Sequence, residues 1–239
     1  MALWVAWGNI RQPFPFEQIP AELTPDSLRQ NSSSTTRVQQ RHQCRRLAHF
    51  LLWSLLKKTS ESTALLAKIK RTQSGRPYFD SSQLDFNISH SGDWVAVALQ
   101  TTEVSHQLPN NIIGIDIEIP KPRHFSALLA HFATSQEQDW FERQKNTQEA
   151  FYRCWCLREA VLKSQGVGIV KLSKVVHEAE SQQIFTAYCP PGRLWYSSEW
   201  PFYFALFSNQ GDIRPQIFSW NNTQFVECPL HHSLLYTVN

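Results

Sequence analysis

The sequence holds no C-x-x-C pair, no long apolar run and almost no excess charge, and each absence removes a class of protein. Its five cysteines, Cys44, Cys154, Cys156, Cys189 and Cys228, are odd in number and irregularly spaced. Without C-x-x-C the usual signature of a structural zinc site is missing. Cys154 and Cys156 stand two apart in a helical stretch, where side chains point away from each other. The cysteines therefore read as reduced thiols of a cytosolic protein. No apolar run approaches the ~20 residues of a membrane span. Met1-Ala-Leu-Trp-Val-Ala-Trp lacks a basic region and soon meets Arg11 and Pro13, so it does not read as a signal peptide. These features predict a cytoplasmic protein without membrane contact. A net charge of only +3 is not the footprint of a nucleic-acid binder. One basic concentration exists, Arg37, Arg41, Arg45 and Arg46, continuing to Lys57 and Lys58. It reads as a solvated helix face or as a pocket for one small polyanion, and composition alone favours the solvated face.

What is present is an ordinary apolar fraction, 42% of 239 residues, with 9 Trp and 15 Phe. That suffices for one large domain or two small ones, and the aromatics point first to filled cores. Alternation over Leu3–Trp7 predicts a short strand, and residues 11–36, rich in Pro, Ser, Thr and Asn, read as loop. Cys44, Leu47, Leu51 and Leu55 predict a helix over Arg37–Lys58. A second helix is expected over Ser62–Lys70. After the punctuation of Gly75-Arg76-Pro77, strands are predicted at Phe86–Ser89 and Trp94–Gln100, joined by a turn at Gly92-Asp93. Residues 101–111 read as polar loop, and Ile112–Ile119 is a β-branched run closed by Pro120 and Pro122. Helices are predicted at Phe125–Phe132, from an N-cap at Ser135 with Gln138 as its capping-box partner, and over Glu149–Gln165 up to Gly166 and Gly168. Strands follow at 184–189, 202–207 and 215–226. The class is α+β, in two halves of loosely similar order and without a clear sequence repeat.

Three stretches carry chemistry. In Gly114-Ile115-Asp116-Ile117-Glu118, strand geometry puts Asp116 and Glu118 on one face, with Ile113, Ile115 and Ile117 turned to the core. Neighbouring carboxylates repel unless a cation lies between them. Mg²⁺ suits oxygen ligands of this kind, although an isolated D-x-E reads more simply as the solvent face of an edge strand. In Trp155-Cys156-Leu157-Arg158-Glu159-Ala160-Val161-Leu162-Lys163, Glu159 and Lys163 stand four apart, the spacing of a surface ion pair or of a metal ligand or base beside a phosphate-binding lysine. Asn87-Ile88-Ser89-His90-Ser91 offers donors after a strand, as a hydrogen-bonded turn or as a phosphate contact through His90.

In this order, with Gly75-Arg76-Pro77 before them and Gly166-x-Gly168 after, these pieces resemble the 4'-phosphopantetheinyl transferase superfamily, in its larger, surfactin-synthetase-activating (Sfp-like) type. The resemblance covers about residues 37 to 170, and Phe132-Ala-Thr-Ser-Gln-Glu137 resembles the family's linking stretch. It implies a pseudo-dimer of two α+β halves, 1–111 and 112–239, with coenzyme A in the cleft between them. It implies Mg²⁺ on Asp116, Glu118 and Glu159, pyrophosphate on Lys163, and Arg41, Arg71, Gly75 and Arg76 at the nucleotide end. Asn87, Ser89 and His90 would also contact coenzyme A. The acceptor would be a serine of an apo acyl or peptidyl carrier protein, Glu159 would be the base for its proton, and 3',5'-ADP would leave. A monomer is expected, because the pseudo-dimer completes the site within one chain. One departure is Arg158, where the family often has Lys, read as a supplier of charge or helix-surface contact. Aromatics at Phe125–Phe141 suggest a carrier-docking surface. The alternatives are a non-catalytic carrier or coenzyme A binder, a metal-dependent nuclease and an aromatic-rich adaptor. Glu and Lys four apart in a helix, in a chain that is not strongly basic, do not suit the nuclease.

Overall fold

The computed structural model describes residues 1–29, 36–102, 111–211 and 213–239. Most of the polar stretch 101–111, and residues 30–35 of the loop read over 11–36, lie outside the described residues. The chain runs through β1 (Ala2–Asn9), α1 (Asp26–Arg29), α2 (Thr36–Lys58), β2 (Lys70–Arg71), β3 (Pro77–Tyr78), β4 (Leu84–Ser91), β5 (Trp94–Thr101) and β6 (Ile113–Glu118). It continues through α3 (Phe125–Leu129), α4 (Ser135–Glu142), α5 (Thr147–Ser164), β7 (Val176–Glu178), β8 (Gln183–Phe185), β9 (Gly192–Ser197) and β10 (Tyr203–Ser208). It ends with β11 (Gln216–Trp220), β12 (Phe225–Glu227) and β13 (Leu234–Val238).

Two large sheets form, each covered by one long helix, beside a two-stranded ribbon of β2 and β3. The first has the order β12-β11-β1-β5-β4 and the second β6-β10-β9-β13-β8-β7. Helix α2 buries Cys44, Leu47, Leu51 and Leu55 in a core with Val95, Val97 and Leu99 of β5. Helix α5 buries Phe151, Leu157 and Val161 with Leu194, Ala205 and Phe207. The inner faces of the two sheets meet through Leu3, Val5, Ala96 and Ala98 on one side and Ile113, Ile115, Ile117, Phe204 and Leu206 on the other. The layers are therefore helix, sheet, sheet, helix, and the protein is α+β with two similarly built halves. Chain and sheet divide differently, since β11, from the end of the chain, pairs in parallel with β1.

Several elements differ from their sequence-based expectation. The stretch over Ser62–Lys70 is a short 3-10 helix, Thr63–Lys68, with only Leu66 buried and no side-chain cap, and Lys70–Arg71 pairs as a strand with Pro77–Tyr78. The N-cap is Thr134 rather than Ser135: its hydroxyl accepts the Glu137 amide. No capping box closes, because the Glu137 carboxylate is turned inward to Arg158 and His177. The run 215–226 splits in two at Asn221–Gln224, where Asn222 takes a positive φ. Strands β9 and β13 had no clear periodic signal; β9 starts directly after Pro190-Pro191, and the two pair with each other inside the sheet, between β10 and β8. Leu129, Phe132, Trp140 and Phe141 are buried in the α5 core, so most of the large apolar side chains in the 125–141 segment fill the interior instead of offering a docking face.

Gly114 is required by packing rather than by backbone freedom. A Cβ there would stand 1.9 Å from the Ala160 carbonyl oxygen of α5, and neither backbone can yield without moving the other. Gly114→Ala is expected to cost roughly 1–3 kcal/mol or more of stability by overpacking. Urea unfolding with a midpoint equal to wild type would contradict this close approach.

Candidate active site

Strand β6 is an edge strand of its own sheet, and its free amides are satisfied by side chains. Amides of Ile113, Ile115, Ile117 and Ile119 donate to Asp85, Asn87, Ser89 and Ser91 of β4. Every second residue of β4 is polar and faces inward, so period-two alternation builds a ladder that seals the two sheets along this edge. The same strand geometry turns Gly114, Asp116 and Glu118 toward α5.

On α5, Glu159 and Lys163 share a face one turn apart. The Lys163 ammonium donates to Asp116 Oδ1 at 2.7 Å and to Ser89 Oγ at 2.8 Å, and Ser89 Oγ donates to Asp116 Oδ1 at 3.0 Å. Glu118 accepts from Ser91 Oγ at 2.7 Å. Three carboxylates thus crowd one lysine, and the charges register it. Burial, and then the Asp116 charge, push Glu159 up to about 7. Burial first also raises Glu118. Burial opposes the charge on Lys163, but Asp116 outweighs it and holds the ammonium above its ordinary value.

Two carboxylate oxygens here, Asp116 Oδ2 and Glu159 Oε1, are buried without a hydrogen-bond partner. Unpartnered carboxylate oxygens beside like charges are costly, and a hard divalent cation satisfies them with the oxygen-only donors it prefers. Asp116, Glu118 and Glu159 therefore fit such an ion. A second set of potential ligands among the described residues, Glu137, Cys154 and His177, is already served by a cation. The Arg158 guanidinium donates to both Glu137 oxygens, to Val175 O and to Cys154 O, and His177 shares the same carboxylate. Arg158 is fully buried. It makes no helix-surface contact, and it lies on the core side of α5.

The other sequence-predicted residues divide by role. Asn87 and Ser89 are buried, and their side chains are engaged by the protein itself: Asn87 accepts from Ile115 and donates to Lys163 O. Arg76 bridges the halves, donating to Asp85 at 2.6 Å, to Lys163 O and to Ile113 O. Arg71 donates to Gly75 O across a turn where Gly75 has φ +89°. His90 is held below its ordinary value by burial and then by the charges of Lys163, Arg41 and Arg45, which places these three cations within electrostatic reach of one imidazole. Arg45 belongs with Arg41, four residues away on the exposed face of α2. The i, i+4 spacing was the available signal for it, as the period of two from Asn87 and Ser89 was for Asp85 and Ser91.

Two family models match the chain. One described as 4'-phosphopantetheinyl transferase superfamily covers residues 112–210, and one described as the N-terminal part of 4'-phosphopantetheinyl transferase covers residues 30–102. The chain is 53% identical over 239 residues, 100% of both chains, to a Haemophilus influenzae protein provisionally named a 4'-phosphopantetheinyl transferase. It is 27% identical over 144 residues to the 4'-phosphopantetheinyl transferase Sfp of Bacillus subtilis, covering 55% of this chain and 60% of that one. It is 31% identical over 111 residues to the 4'-phosphopantetheinyl transferase AcpT of Salmonella typhimurium, covering 45% of this chain and 54% of that one. The chain belongs to the 4'-phosphopantetheinyl transferase superfamily, a family of transferases. No helix among the described residues is long and apolar enough to cross a membrane.

Proposed function

We propose that this protein moves the 4'-phosphopantetheine arm of coenzyme A to a serine of an apo acyl or peptidyl carrier protein. The single observation that carries the reading is the acidic trio Asp116, Glu118 and Glu159, with two unpartnered buried oxygens, beside Lys163. The N-terminal half, residues 1–111, would supply the nucleotide contacts, and residues 112–239 the metal and catalytic groups. Asp116, Glu118 and Glu159 would hold Mg²⁺, which when bound supplies positive charge to the pyrophosphate.

The chain's own groups account for the rest. Lys163 holds pyrophosphate oxygens, and Arg41, with Arg45 and His90 beside it, meets the phosphates at the mouth of the cleft, where Arg is well shaped for them. Arg71, Gly75 and Arg76 form the turn at the nucleotide end. Asn87 and Ser89 position α5 and Lys163 by their hydrogen bonds. Glu159 is the base for the serine proton, directly or through a water. The serine oxygen then forms its bond to the β-phosphorus, the bond to the leaving oxygen breaks, and 3',5'-ADP departs. The acceptor brings the nucleophile, so no activated Ser or Cys is needed. All five cysteines have thiol pKa values raised, by burial first, which suits inert thiols of a cytoplasmic protein.

The test is a mass spectrum of apo acyl and apo peptidyl carrier proteins after incubation with the protein, coenzyme A and Mg²⁺. A gain of one phosphopantetheine that requires Mg²⁺ is the expected result, and no gain on any carrier would sink the reading. One chain carries both halves, so light scattering is expected to return a monomer mass; a dimer mass would contradict that part.

A further inference from the structure

Among the described residues, the most exposed large aliphatic side chains lie immediately beyond α5. Ile169 and Val170 are 58% and 83% exposed. They open a 3-10 turn, Ile169–Lys174, whose Leu172 is buried together with the following Val175 in the α5 core. The exposed pair therefore stands on a fixed platform. Lys171 and Lys174 on the same turn are exposed, and neither forms an ion pair with a carboxylate among the described residues.

This platform is tied to the Lys163 end of α5. The Gly166 amide donates to Lys163 O and the Val167 amide to Leu162 O, which caps α5. Gly166, with φ +67°, packs against Arg76 and Ser74, and Arg76 itself donates to Lys163 O. Ile169 stands three positions after Gly166, a reach of roughly 10 Å at full extension.

We propose that Ile169, Val170, Lys171 and Lys174 form the surface on which the protein acceptor docks, as it presents its serine to the cleft. A partner that covers solvated aliphatic groups must bring apolar surface, and the two lysines select one whose apolar patch is flanked by carboxylates. The occupant is then an apo carrier protein with an aliphatic and acidic face beside its serine, and the inference rests on the proposed transfer reaction for that identity. A second copy of this chain fits less well, because a two-fold interface sets the same patch against itself and would bring Lys171 and Lys174 against their own copies.

The experiment measures anisotropy of fluorescently labelled apo acyl and apo peptidyl carrier proteins without coenzyme A, together with transfer kinetics. Val170→Asp and the pair Lys171→Glu with Lys174→Glu are each expected to raise the carrier Kd and KM by about tenfold, leaving the coenzyme A KM and kcat unchanged. These side chains are exposed, so circular dichroism and Tm should match wild type. A carrier Kd that does not move in either variant overturns the proposal, as does a wild-type dimer that Val170→Asp dissociates. Binding weakened by the variants, without transfer by wild type, would support the docking surface while sinking the proposed reaction.

Discussion

Glu159→Gln is expected to lower the rate of phosphopantetheine transfer roughly 10²–10⁴-fold without lowering Tm. The two readouts separate because of the electrostatics around this carboxylate. Its Oε1 has no partner in the protein, and Asp116 and Glu118 both oppose its ionisation. A neutral amide of the same shape relieves that repulsion, so stability should hold or rise while the proton acceptor is lost. Transfer measured on an apo carrier protein, with thermal unfolding on the same samples, decides the matter. Activity near wild type would remove Glu159 from the chemistry, and a lower Tm would show that the loss reflects folding.

Arg158→Ala is expected to be the most damaging single change to stability, costing roughly 3–5 kcal/mol of a total that for such domains is only about 5–15 kcal/mol. The guanidinium grips both Glu137 oxygens, lies over the Phe132 ring at 4.9 Å and donates to two backbone carbonyls. Its removal leaves Glu137 charged in the core with His177 and Cys154 as neighbours. Arg158→Lys keeps the charge but loses the two-pronged grip, so it should cost less and leave the transfer rate per folded molecule unchanged, since this residue faces away from Lys163. A rate that falls with Arg158→Lys at constant stability would return Arg158 to the chemistry.

The same network sets an acid limit. Although burial alone would raise it, the His177 hydrogen bond and the Arg158 charge bring Glu137 down to about 2 from an ordinary 4.5. A carboxylate with a depressed folded value stabilises fully above the unfolded value, and the contribution is lost as pH falls through the folded one. The window is therefore pH 4.5 down to 2, with about 3 kcal/mol at stake. His177, lowered by burial first, adds acid sensitivity below its ordinary 6.5, because the unfolded chain takes up the proton more readily. In Glu137→Gln the first window should flatten, and urea unfolding across pH would show a wild-type slope if Glu137 were not the source.

Much of this was legible in the sequence because it depends on local geometry. A period of two turns Asp116 and Glu118 to one face of β6 and Ile113, Ile115 and Ile117 to the other, and a step of four aligns Glu159 with Lys163 on α5. Those relations hold in any strand or helix, so they could be read before the fold was known. The apolar stripe of α2 and the two helix-and-sheet halves followed from periodicity in the same way. What pattern could not supply were partners distant in the chain. The pairing of β11 with β1, the closure of the β6 edge by β4 side chains, and the burial of Arg158 against Glu137 all join residues whose separation carries no periodic signal. Tertiary structure alone decided that Gly114 is a contact point for α5, that Asn87 and Ser89 serve the frame, and that Ile169 and Val170 stay in water. Each outcome depends on which surface another part of the chain had already covered.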